Sequence, residues 1–491
     1  MTAEPADSGT VTATAVDVTS RGRPPEVKLA RRVARKLEED ILAARLPVGA
    51  VYASESELRE RHGVSRAVLR EAIRLVEHHG LAVMRRGPYG GLVLREPDAG
   101  PLTHAVVVYL EYVGTTVDDL LTVRSLLEPL AAGIAAERLT EDHIAPLRAT
   151  LAEERSHGAD SPQRDRLHQL LGRIGGNRVL ALFIDVLVHL THRYAAIPPP
   201  GRAATRVSAA SDHAHARIAD AVVAGNAVLA EHRTLVHLEA MREWLLSTRQ
   251  TPIRHGQAGR SLPAAAGRGK LAEAVAQRLM DEVLASGMHV GEIFGSEPEL
   301  QARYGVSQSA LREAVRLLEY HSVARMRRGP HGGLVVTRPD PAASVEAMAV
   351  HLEYARVDAE EIRVVRNALE LGALGLLTER HEDPELRERL RAAQVVSEET
   401  ARDDVAELSH AFHLGLAELT GNPVVALFLR ILLTVWQRHE RRADTPDADA
   451  TMAASVARVH DRILTAIVEG DLPLARHRMH RHLEALVDWW E

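Results

Sequence analysis

Cysteine is absent from the 491-residue chain, and aromatic residues make up only 3% of it. The absence of cysteine excludes disulfides, thiolate metal sites and cysteine nucleophiles, and it is compatible with a reducing compartment. No uninterrupted apolar stretch reaches about 18 residues, so we expect no membrane-spanning helix. The scarcity of aromatic rings argues against ligand binding dominated by stacking. The hydrolase motifs H-E-x-x-H and G-x-S-x-G are also absent, which argues against an enzyme.

The N-terminal segment is polar and acidic and lacks the apolar core of a signal peptide. It therefore predicts a disordered tail on a soluble, cytoplasmic protein. The net charge of −7 argues against a protein that coats nucleic acid without discrimination. Residues 23–95 reverse this sign, with about 15 basic against about 9 acidic side chains. A local basic excess is typical of a nucleic-acid-binding domain.

The segment at 57–94 recurs, with changes, 242 positions later at 299–336. Two copies so far apart indicate a duplicated module rather than a solenoid. Long Leu, Ala and Val patterns follow each copy and predict helices, so the expected fold class is mainly α. The predicted segments are a disordered tail at 1–25, a winged helix-turn-helix domain at 26–96, a helical effector domain at 101–247, a Gly- and Pro-rich linker at 248–267, a second winged helix-turn-helix domain at 268–338 and a second helical effector domain at 341–491.

Each copy of the module has the pattern of a winged helix-turn-helix. An amphipathic helix comes first, and a capping box of Ser54 with Glu57, or Ser296 with Glu299, then opens a short second helix. A Gly-Val turn separates this helix from a third, as in a helix-turn-helix. Apolar stretches around the turns RRGPYGG and RRGPHGG predict a two-stranded hairpin.

The third helix of the first copy carries arginine at positions 66, 70 and 74, four residues apart and away from its apolar face. Arginines spaced in this way project from one side of a helix and can reach phosphates and guanine edges in a major groove. Arg86 lies at the tip of the predicted wing. The second copy keeps Arg312, Arg316 and Arg328 but has Gln308 at the first position. A single arginine row is usually a solvated helix face, but its repetition beside a basic wing favours DNA binding.

Three histidines recur in register between the helical segments. His168, His215 and His237 reappear 245 positions later as His413, His460 and His482, and Asn177 reappears as Asn422. Any one of 26 histidines is more often a surface or core residue than a ligand. Three that recur together predict a divalent-metal site, with zinc or a similar ion as the cofactor.

The module resembles the DNA-binding domain of the GntR superfamily, in its P-x-G, G-V-S-R and L-R-E-A motifs and its glycine-rich wing. The helical segments resemble the FCD effector domain of the FadR subfamily, and together the two resemblances cover nearly the whole chain. The resemblance implies DNA contacts from Ser65, Arg66, Ala67, Arg70 and Arg86 in the first copy, and from Ser307, Gln308, Ser309, Arg312 and Arg328 in the second. Ala67 and Gln308 depart from the family pattern and place base preference in question.

The resemblance also implies a metal held by an aspartate and three histidines. The position four residues before the first histidine, where the family has its aspartate, holds Arg164 in one copy and Ser409 in the other. Asp165 and His410, three residues before, are the alternatives for the fourth ligand. The pairs Arg124 with Glu128 and Arg366 with Glu370 match the family's R-x-x-x-E motif. Each arginine is either part of an i, i+4 salt bridge or a receptor for an effector carboxylate.

We therefore expect a DNA-binding transcriptional regulator, a repressor or an activator, whose two halves form a pseudo-dimer within one chain. Its partners would be double-stranded operator DNA and a small, carboxylate-bearing effector, and further homodimerisation stays open. Two alternatives remain at this point. One is a metal-dependent hydrolase built on the histidine sites, and the other is an assembly protein that binds no DNA.

Overall fold

The computed structural model describes residues 25–85, 87, 90–97, 99–156, 165–194, 202–247, 268–320, 323–327, 329, 332–338, 341–400, 405–440 and 450–487. The chain divides into two compact units, Met1–Pro97 and Asp98–Glu491. The predicted tail lies outside the described residues except for Pro25, where the first helix begins. The predicted linker at 248–267 lies outside them entirely.

The first unit is a winged helix-turn-helix. Its elements, in chain order, are α1 (Pro25–Ala44), β1 (Val51–Ala53), α2 (Glu55–His62), α3 (Arg66–His78), β2 (Ala82–Arg85) and β3 (Gly91–Leu94). Helix α1 packs on α3. The apolar face predicted for α1 is buried at Val33, Leu37 and Ile41, so the helical periodicity in the sequence identified the core side of this helix.

Local capping fixes the turn between α2 and α3. The Glu57 backbone N–H donates to Ser54 Oγ at 3.3 Å, and the Ser54 N–H donates to Glu57 Oε2 at 2.7 Å, which completes the predicted capping box. Gly63 ends α2 in the left-handed region with φ +59°, where a side chain would be strained. Ser65 then caps α3 by accepting from the Val68 N–H at 3.3 Å. The predicted two-helix turn is confirmed.

The wing is a three-stranded antiparallel sheet in the order β1-β3-β2, rather than a two-stranded hairpin. The predicted hairpin is present as β2 and β3, with Ala82 opposite Leu94 and Arg85 opposite Gly91. The additional strand, β1, lies so close to Gly91 that a Cβ there would come within 2.8 Å of the Ala53 carbonyl oxygen. A strand of three residues is too short to show alternation, so the sequence pattern did not reveal it.

The same order of elements recurs from residue 268. These elements are α11 (Arg268–Ala285), β4 (Ile293–Gly295), α12 (Glu297–Tyr304), α13 (Gln308–Tyr320), β5 (Ala324–Arg327) and β6 (Gly333–Val336), numbered after the helices of the segment between. Ser296 and Glu299 form a second capping box, and Gly305 ends α12 at φ +62°. The strands pair in the order β4-β6-β5. Val275, Leu279 and Leu311 belong to the separate core of these elements.

The remaining elements form two helical blocks. The first helical block consists of α4 (Ala99–Tyr112), α5 (Val117–Arg138), α6 (Glu141–Ser156), α7 (Arg166–Ile174), α8 (Arg178–Tyr194), α9 (Arg202–Val223) and α10 (Ala227–Ser247). The second helical block consists of α14 (Pro341–Tyr354), α15 (Ala359–Glu379), α16 (Pro384–Thr400), α17 (Val405–Leu419), α18 (Pro423–Glu440), α19 (Ala450–Val468) and α20 (Leu472–Val487). Each helix in the described ranges is too short or too polar to span a bilayer.

The two helical blocks share one apolar core. Helices α4, α5 and α8 contribute to it from the first block, and α14, α15 and α18 from the second. At its centre the rings of Phe183 and Phe428 stack with their centroids 3.9 Å apart and an interplanar angle of 24°. Burying each ring contributes about 1.5–3 kcal/mol, so the contact between the blocks is part of the folded core.

Two asparagines cross between the blocks in a reciprocal pair. Asn177 Nδ2 donates to the Glu361 carbonyl oxygen at 3.0 Å, and Asn422 Nδ2 donates to the Asp119 carbonyl oxygen at 3.0 Å. Each asparagine also caps the helix that follows it, because its Oδ1 accepts from a backbone N–H of that helix. A contact in which the same surface on two partners meets itself is typical of an interface with two-fold symmetry. Here both partners belong to one chain.

Candidate functional site

The arginine row of the first unit, defined as Arg66, Arg70 and Arg74, lies on the solvent side of α3. The three side chains are 63%, 53% and 71% exposed. The opposite face of the helix is buried through Leu69, Ala72, Ile73 and Val76. Ser65 and Ala67, at the start of the helix, are also exposed. The predicted separation of an apolar and a basic face is confirmed, and the basic face is accessible.

Acidic neighbours hold this row in place. Glu55 Oε1 accepts from Arg66 Nε at 3.0 Å and from Arg70 Nε at 3.3 Å, while Arg74 Nη1 pairs with Glu71 at 2.8 Å. The hydrogen bond from Arg66 is the main cause that lowers the pKa of Glu55. Exposed ion pairs of this kind contribute little to stability, so the arginines can exchange Glu55 for another anion at small cost.

The corresponding helix α13 repeats the arrangement, except that Gln308 stands where the first copy has Arg66. Arg312 is 59% exposed and its Nε pairs with Glu297 at 2.9 Å. The start of this helix is also exposed, at Ser307, Gln308 and Ser309, and so is Arg316 one turn after Arg312. The wing residues Arg86 and Arg328 lie outside the described residues, so their predicted role stays a prediction.

The first histidine cluster consists of His168 on α7, His215 on α9 and His237 on α10, all buried. Their Nε2 atoms converge: His215 Nε2 lies 3.2 Å from that of His168 and 3.1 Å from that of His237. Nitrogens that share a cation at about 2.0–2.1 Å are separated by roughly 3.0–3.4 Å. The spacing therefore fits three ligands on one metal ion.

The second histidine cluster consists of His413 on α17, His460 on α19 and His482 on α20, and it has the same geometry. His482 Nε2 lies 3.1 Å from His460 Nε2 and 3.2 Å from His413 Nε2. In both clusters the first and third rings are nearly parallel, at 13° for His168 with His237 and 14° for His413 with His482. Within the described ranges, these two clusters are the groups of three potential metal ligands.

Carboxylates stand behind the rings of the first cluster. His168 Nδ1 lies 2.7 Å from Glu128 Oε2, and His215 Nδ1 lies 2.7 Å from Glu154 Oε2. Glu154 Oε1 also accepts from the Leu167 N–H at 2.9 Å, which ties α6 to α7. A proton on Nδ1 facing a carboxylate leaves the lone pair on Nε2, the atom that faces the cluster. Lone pairs that converge at this distance repel unless a cation lies among them.

The two R-x-x-x-E pairs are buried beside the histidine clusters. Arg124 is fully buried, and its Nε donates to Glu128 Oε1 at 2.5 Å. Arg366 Nε donates to Glu370 Oε1 at 2.6 Å, and Glu370 contacts His413 in turn. No sequence spacing links these pairs to the histidines, whereas in the structure the pairs and the histidines form one network. These are buried ion pairs, so the energies typical of a surface i, i+4 salt bridge do not apply.

The electrostatics differ between the sites. Burial disfavours the charged form of His168, but the carboxylate of Glu128 outweighs it and raises the pKa of His168. At His413, burial outweighs the corresponding contact with Glu370 and lowers the pKa of the histidine. Burial and the neighbouring histidine charges lower the pKa of His237 far below its ordinary value and that of His482 to about 3. Neutral imidazoles are the form that ligates metals.

Asp165 and His410, the predicted alternatives for a fourth ligand, have other partners. Asp165 Oδ2 lies 3.4 Å from Arg124 Nη1 and 3.3 Å from His192 Nε2. His410 Nδ1 lies 2.8 Å from Gln437 Nε2. Neither residue belongs to the clustered ligand atoms of the described ranges, so their role as ligands stays a prediction. Arg164 lies outside the described residues, and Ser409 is buried beside His410.

Sequence reasoning missed three members of these sites: Glu154, His192 and Gln437. Each contacts a predicted residue from a different helix, so no fixed spacing links the partners. One signal was available, because His192 and Gln437 differ by the same 245 positions as the histidines. Glu154 has the same signal, because Glu399 lies 245 positions after it.

Comparisons with known proteins agree with this architecture. The family model for bacterial regulatory proteins of the gntR family matches residues 29–88. The model for the FCD domain matches twice, at 119–240 and 361–485, and these matches together cover half of the chain.

Individual relatives match part of the chain. The relative described as an uncharacterized HTH-type transcriptional regulator in unstable DNA locus, from Streptomyces ambofaciens, is 31% identical over 39% of this chain and 74% of its own length. The HTH-type transcriptional regulator LutR of Bacillus subtilis (strain 168) is 29% identical over 39% of this chain and 90% of its own length. A solved structure, Streptococcus agalactiae GntR, has 24% identity and a TM-score of 0.34, covering 44% of this chain and 99% of that one. The chain therefore belongs to the gntR family of bacterial regulatory proteins and carries FCD domains behind an N-terminal winged helix-turn-helix.

Proposed function

We propose that this protein is a sequence-specific transcriptional regulator that reads an operator with two winged helices of a single chain. The observation that carries the proposal is the exposed arginine row on a capped helix, with Arg70 in the first module and Arg312 at the matching place in the second. Family membership and the relatives described as HTH-type regulators support DNA as the target. Operator binding would take place in the cytoplasm of a bacterial cell.

The elements from α11 to β6 would form the second winged helix. Their strand order, capping box and left-handed glycine repeat those of the first unit. The shared core and the reciprocal asparagines support a pseudo-dimer, because they place in one chain a contact typical of two identical subunits. Covalent linkage raises the effective concentration of the second reader to the mM range. It also lets the readers diverge, so Gln308 in place of arginine predicts unlike half-sites.

The helical blocks would carry the regulatory input. The converging Nε2 atoms and the carboxylates behind them support a divalent cation such as zinc, held by His168, His215 and His237, and by the matching histidines of the second block. When bound, such an ion would cross-link three helices and offer open coordination positions to an oxygen ligand. The buried arginines support an effector with a carboxylate. Effector binding shifts DNA affinity only if the effector prefers one arrangement of the chain.

The geometry supports a sensor better than a metal hydrolase. Hydrolytic metal sites need a general base beside the bound water. The carboxylates that contact the first cluster, Glu128 and Glu154, lie at Nδ1 on the far side of the rings. They are placed to orient ligands rather than to take a proton from a metal-bound water.

The recognition helices are tested by replacing Arg70 and Arg312 together with alanine. The matched control replaces Arg148 and Arg389, which are exposed on α6 and α16 in the helical blocks. We expect the test variant to lose specific binding to DNA from the flanks of its own coding region in gel-shift and footprint assays, while the control retains it. Both variants should keep the parent's circular dichroism and melting temperature, because all four side chains are solvent-exposed.

Unchanged footprints in the test variant would reject the assignment of the recognition helices. Phosphate contacts make log affinity fall with log salt concentration. If the DNA affinity of the parent protein does not change with salt concentration, DNA binding is rejected as the function. In that case an assembly role through the winged helices would be favoured.

A further inference from the structure

The contact between the two helical blocks includes a large side chain that fills the space in front of a glycine. Helix α5 of the first helical block packs against α15 of the second, and Leu126 of α5 lies against Gly372 of α15. A Cβ atom on Gly372 would come within 2.7 Å of Leu126 Cδ2 and 3.0 Å of Leu126 Cγ. Such an atom would overlap the leucine, so position 372 has room only for glycine while Leu126 keeps this place.

The residues of this contact differ between the blocks. Helices α5 and α15 match at an offset of 242 positions, so Leu126 corresponds to Ala368 and Leu130 corresponds to Gly372. The first helical block therefore has two leucines where the second has alanine and glycine. Leu130 and Ala368 also pack against the shared core, and the two-fold relation of the asparagine pair sets them opposite each other. Each leucine thus meets a small residue of the other block.

An ion pair across the same interface is equally one-sided. Glu361 Oε1 accepts from the Arg178 backbone N–H at 2.7 Å and from Arg178 Nε at 2.9 Å, and the Glu361 side chain is only 9% exposed. The equivalent positions, 245 after Arg178 and 242 before Glu361, hold Pro423 and Asp119. Proline has neither a guanidinium group nor a backbone N–H to donate, so this ion pair is not repeated by the two-fold relation.

These differences make two blocks of the same type poor partners for each other. Two first helical blocks would set Leu126 against Leu130 at both contacts, and over-packing of this kind is unfavourable. Two second helical blocks would set Ala368 against Gly372 and leave a gap at both contacts. They would also leave two largely buried Glu361 carboxylates without an arginine, which is costly. Both demands are met when a first helical block pairs with a second.

We propose that the interface between the helical blocks selects for unlike partners, so that a first helical block accepts a second one and rejects another first one. The partner that this surface fits is therefore a block of the other type. The inference rests on the pseudo-dimer of the proposed function, but not on DNA binding. Selective pairing would keep one reader of each kind on every operator, as the unlike half-sites expected from Gln308 require.

Exchanging the two faces in the full chain tests this proposal. The large-faced variant carries Ala368→Leu and Gly372→Leu, the small-faced variant carries Leu126→Ala and Leu130→Gly, and the face-exchanged variant carries all four substitutions. We expect the large-faced and small-faced variants each to lower the folding equilibrium constant, measured by urea unfolding, by at least about tenfold. The face-exchanged variant should be more stable than either, because its faces are complementary again. If it is instead the least stable of the three, the effects are additive and the proposal is overturned.

Mixing the large-faced and small-faced chains tests the choice of partner directly. After joint refolding from urea, the two should form a complex with one copy of each chain, detected by sedimentation at twice the chain mass. The reason is that each block then finds a complementary face on the other copy. Either variant refolded alone should form less of such a two-chain complex. An equal or larger amount in the large-faced or small-faced chain alone would contradict selective pairing.

A milder cycle applies if a multiple variant does not fold. Alanine normally stabilises a helix relative to glycine, yet Gly372→Ala should destabilise the parent and stabilise Leu126→Ala, because only the parent has the leucine in the way. Stabilisation in both backgrounds would overturn the proposal. As a matched control, Ala136→Thr and Thr378→Ala exchange corresponding residues of the same two helices, and Ala136 lies in a separate core. Their effects should add to within about twofold.

Gel shifts on the parent keep this inference apart from the proposed function. A parent that binds no DNA, but whose face-exchanged variant recovers stability, loses the regulatory role and keeps selective pairing. A DNA-binding parent whose face variants are additive loses the selectivity alone.

Discussion

Replacing Phe183 and Phe428 by alanine, singly and together, tests whether the two helical blocks share one folded core. Each ring is fully buried and the two stack across the boundary between the blocks. Removing one buried phenylalanine costs about 3–5 kcal/mol of folding free energy. The stacked pair adds about 0.5–1.5 kcal/mol beyond the area that each ring buries. The double variant should therefore lose less stability than the sum of the single variants, by about 0.5–1.5 kcal/mol.

Urea unfolding of the parent, the two single variants and the double variant measures this coupling energy. Leu147 and Leu390 provide the control pair, because both are buried but belong to separate cores within their own blocks. Their effects should add to within about 0.3–0.5 kcal/mol. Additive effects for the phenylalanine pair, with coupling no larger than in the control pair, would refute a shared core. The physical link between the two histidine clusters would then be lost as well.

Further predictions concern the metal, the DNA contacts and the pH dependence of stability. His215→Ala should lower the amount of bound zinc, measured by elemental analysis, and the melting temperature of the metal-loaded protein. His213→Ala, at an exposed position of the same helix, should change neither quantity. A parent protein that contains no metal would contradict this prediction. Glu55→Gln should tighten DNA binding and steepen its salt dependence in fluorescence anisotropy, because it releases the arginine row, and weaker binding would contradict that account. Burial acts to raise the pKa of Glu361, but hydrogen bonds from Arg178 outweigh burial and lower that pKa. The ionised carboxylate therefore stabilises the fold above its unfolded-state pKa of about 4.3. This contribution is lost as pH falls. Between about pH 5 and about pH 3, a range that extends below the unfolded-state pKa, the parent should therefore lose more stability than Glu361→Gln, and equal losses in thermal melts would exclude this effect.

Local sequence rules predicted the DNA-binding unit well. The capping box at Ser54 and the glycine turn at Gly63 are set by neighbours within a few residues, so their geometry follows directly from the chain. The burial of Leu69 opposite Arg70 follows from helical periodicity in the same way. The strand β1 was missed because three residues give no periodic signal and its partner strand lies far along the chain.

The sequence predicted which histidines cluster in the candidate sites, but not which contacts these residues make. Recurrence at 245 positions identified the six clustered histidines. It did not show that Glu128 contacts His168, or that Asp165 turns toward Arg124. These contacts depend on how α5, α6 and α7 pack, which no sequence spacing encodes. The cross-block role of the recurring Asn177 was hidden for the same reason, since its partner Glu361 lies in the other block.

Footprinting of the purified chain on its own upstream DNA, with the protein-to-DNA ratio at saturation measured in parallel, tests the central claim most directly. We expect one chain per operator, with protection over two unlike half-sites and an affinity that falls steeply as salt concentration rises. Protection of a single half-site by one chain, or the absence of salt-sensitive binding to any duplex, would contradict the claim.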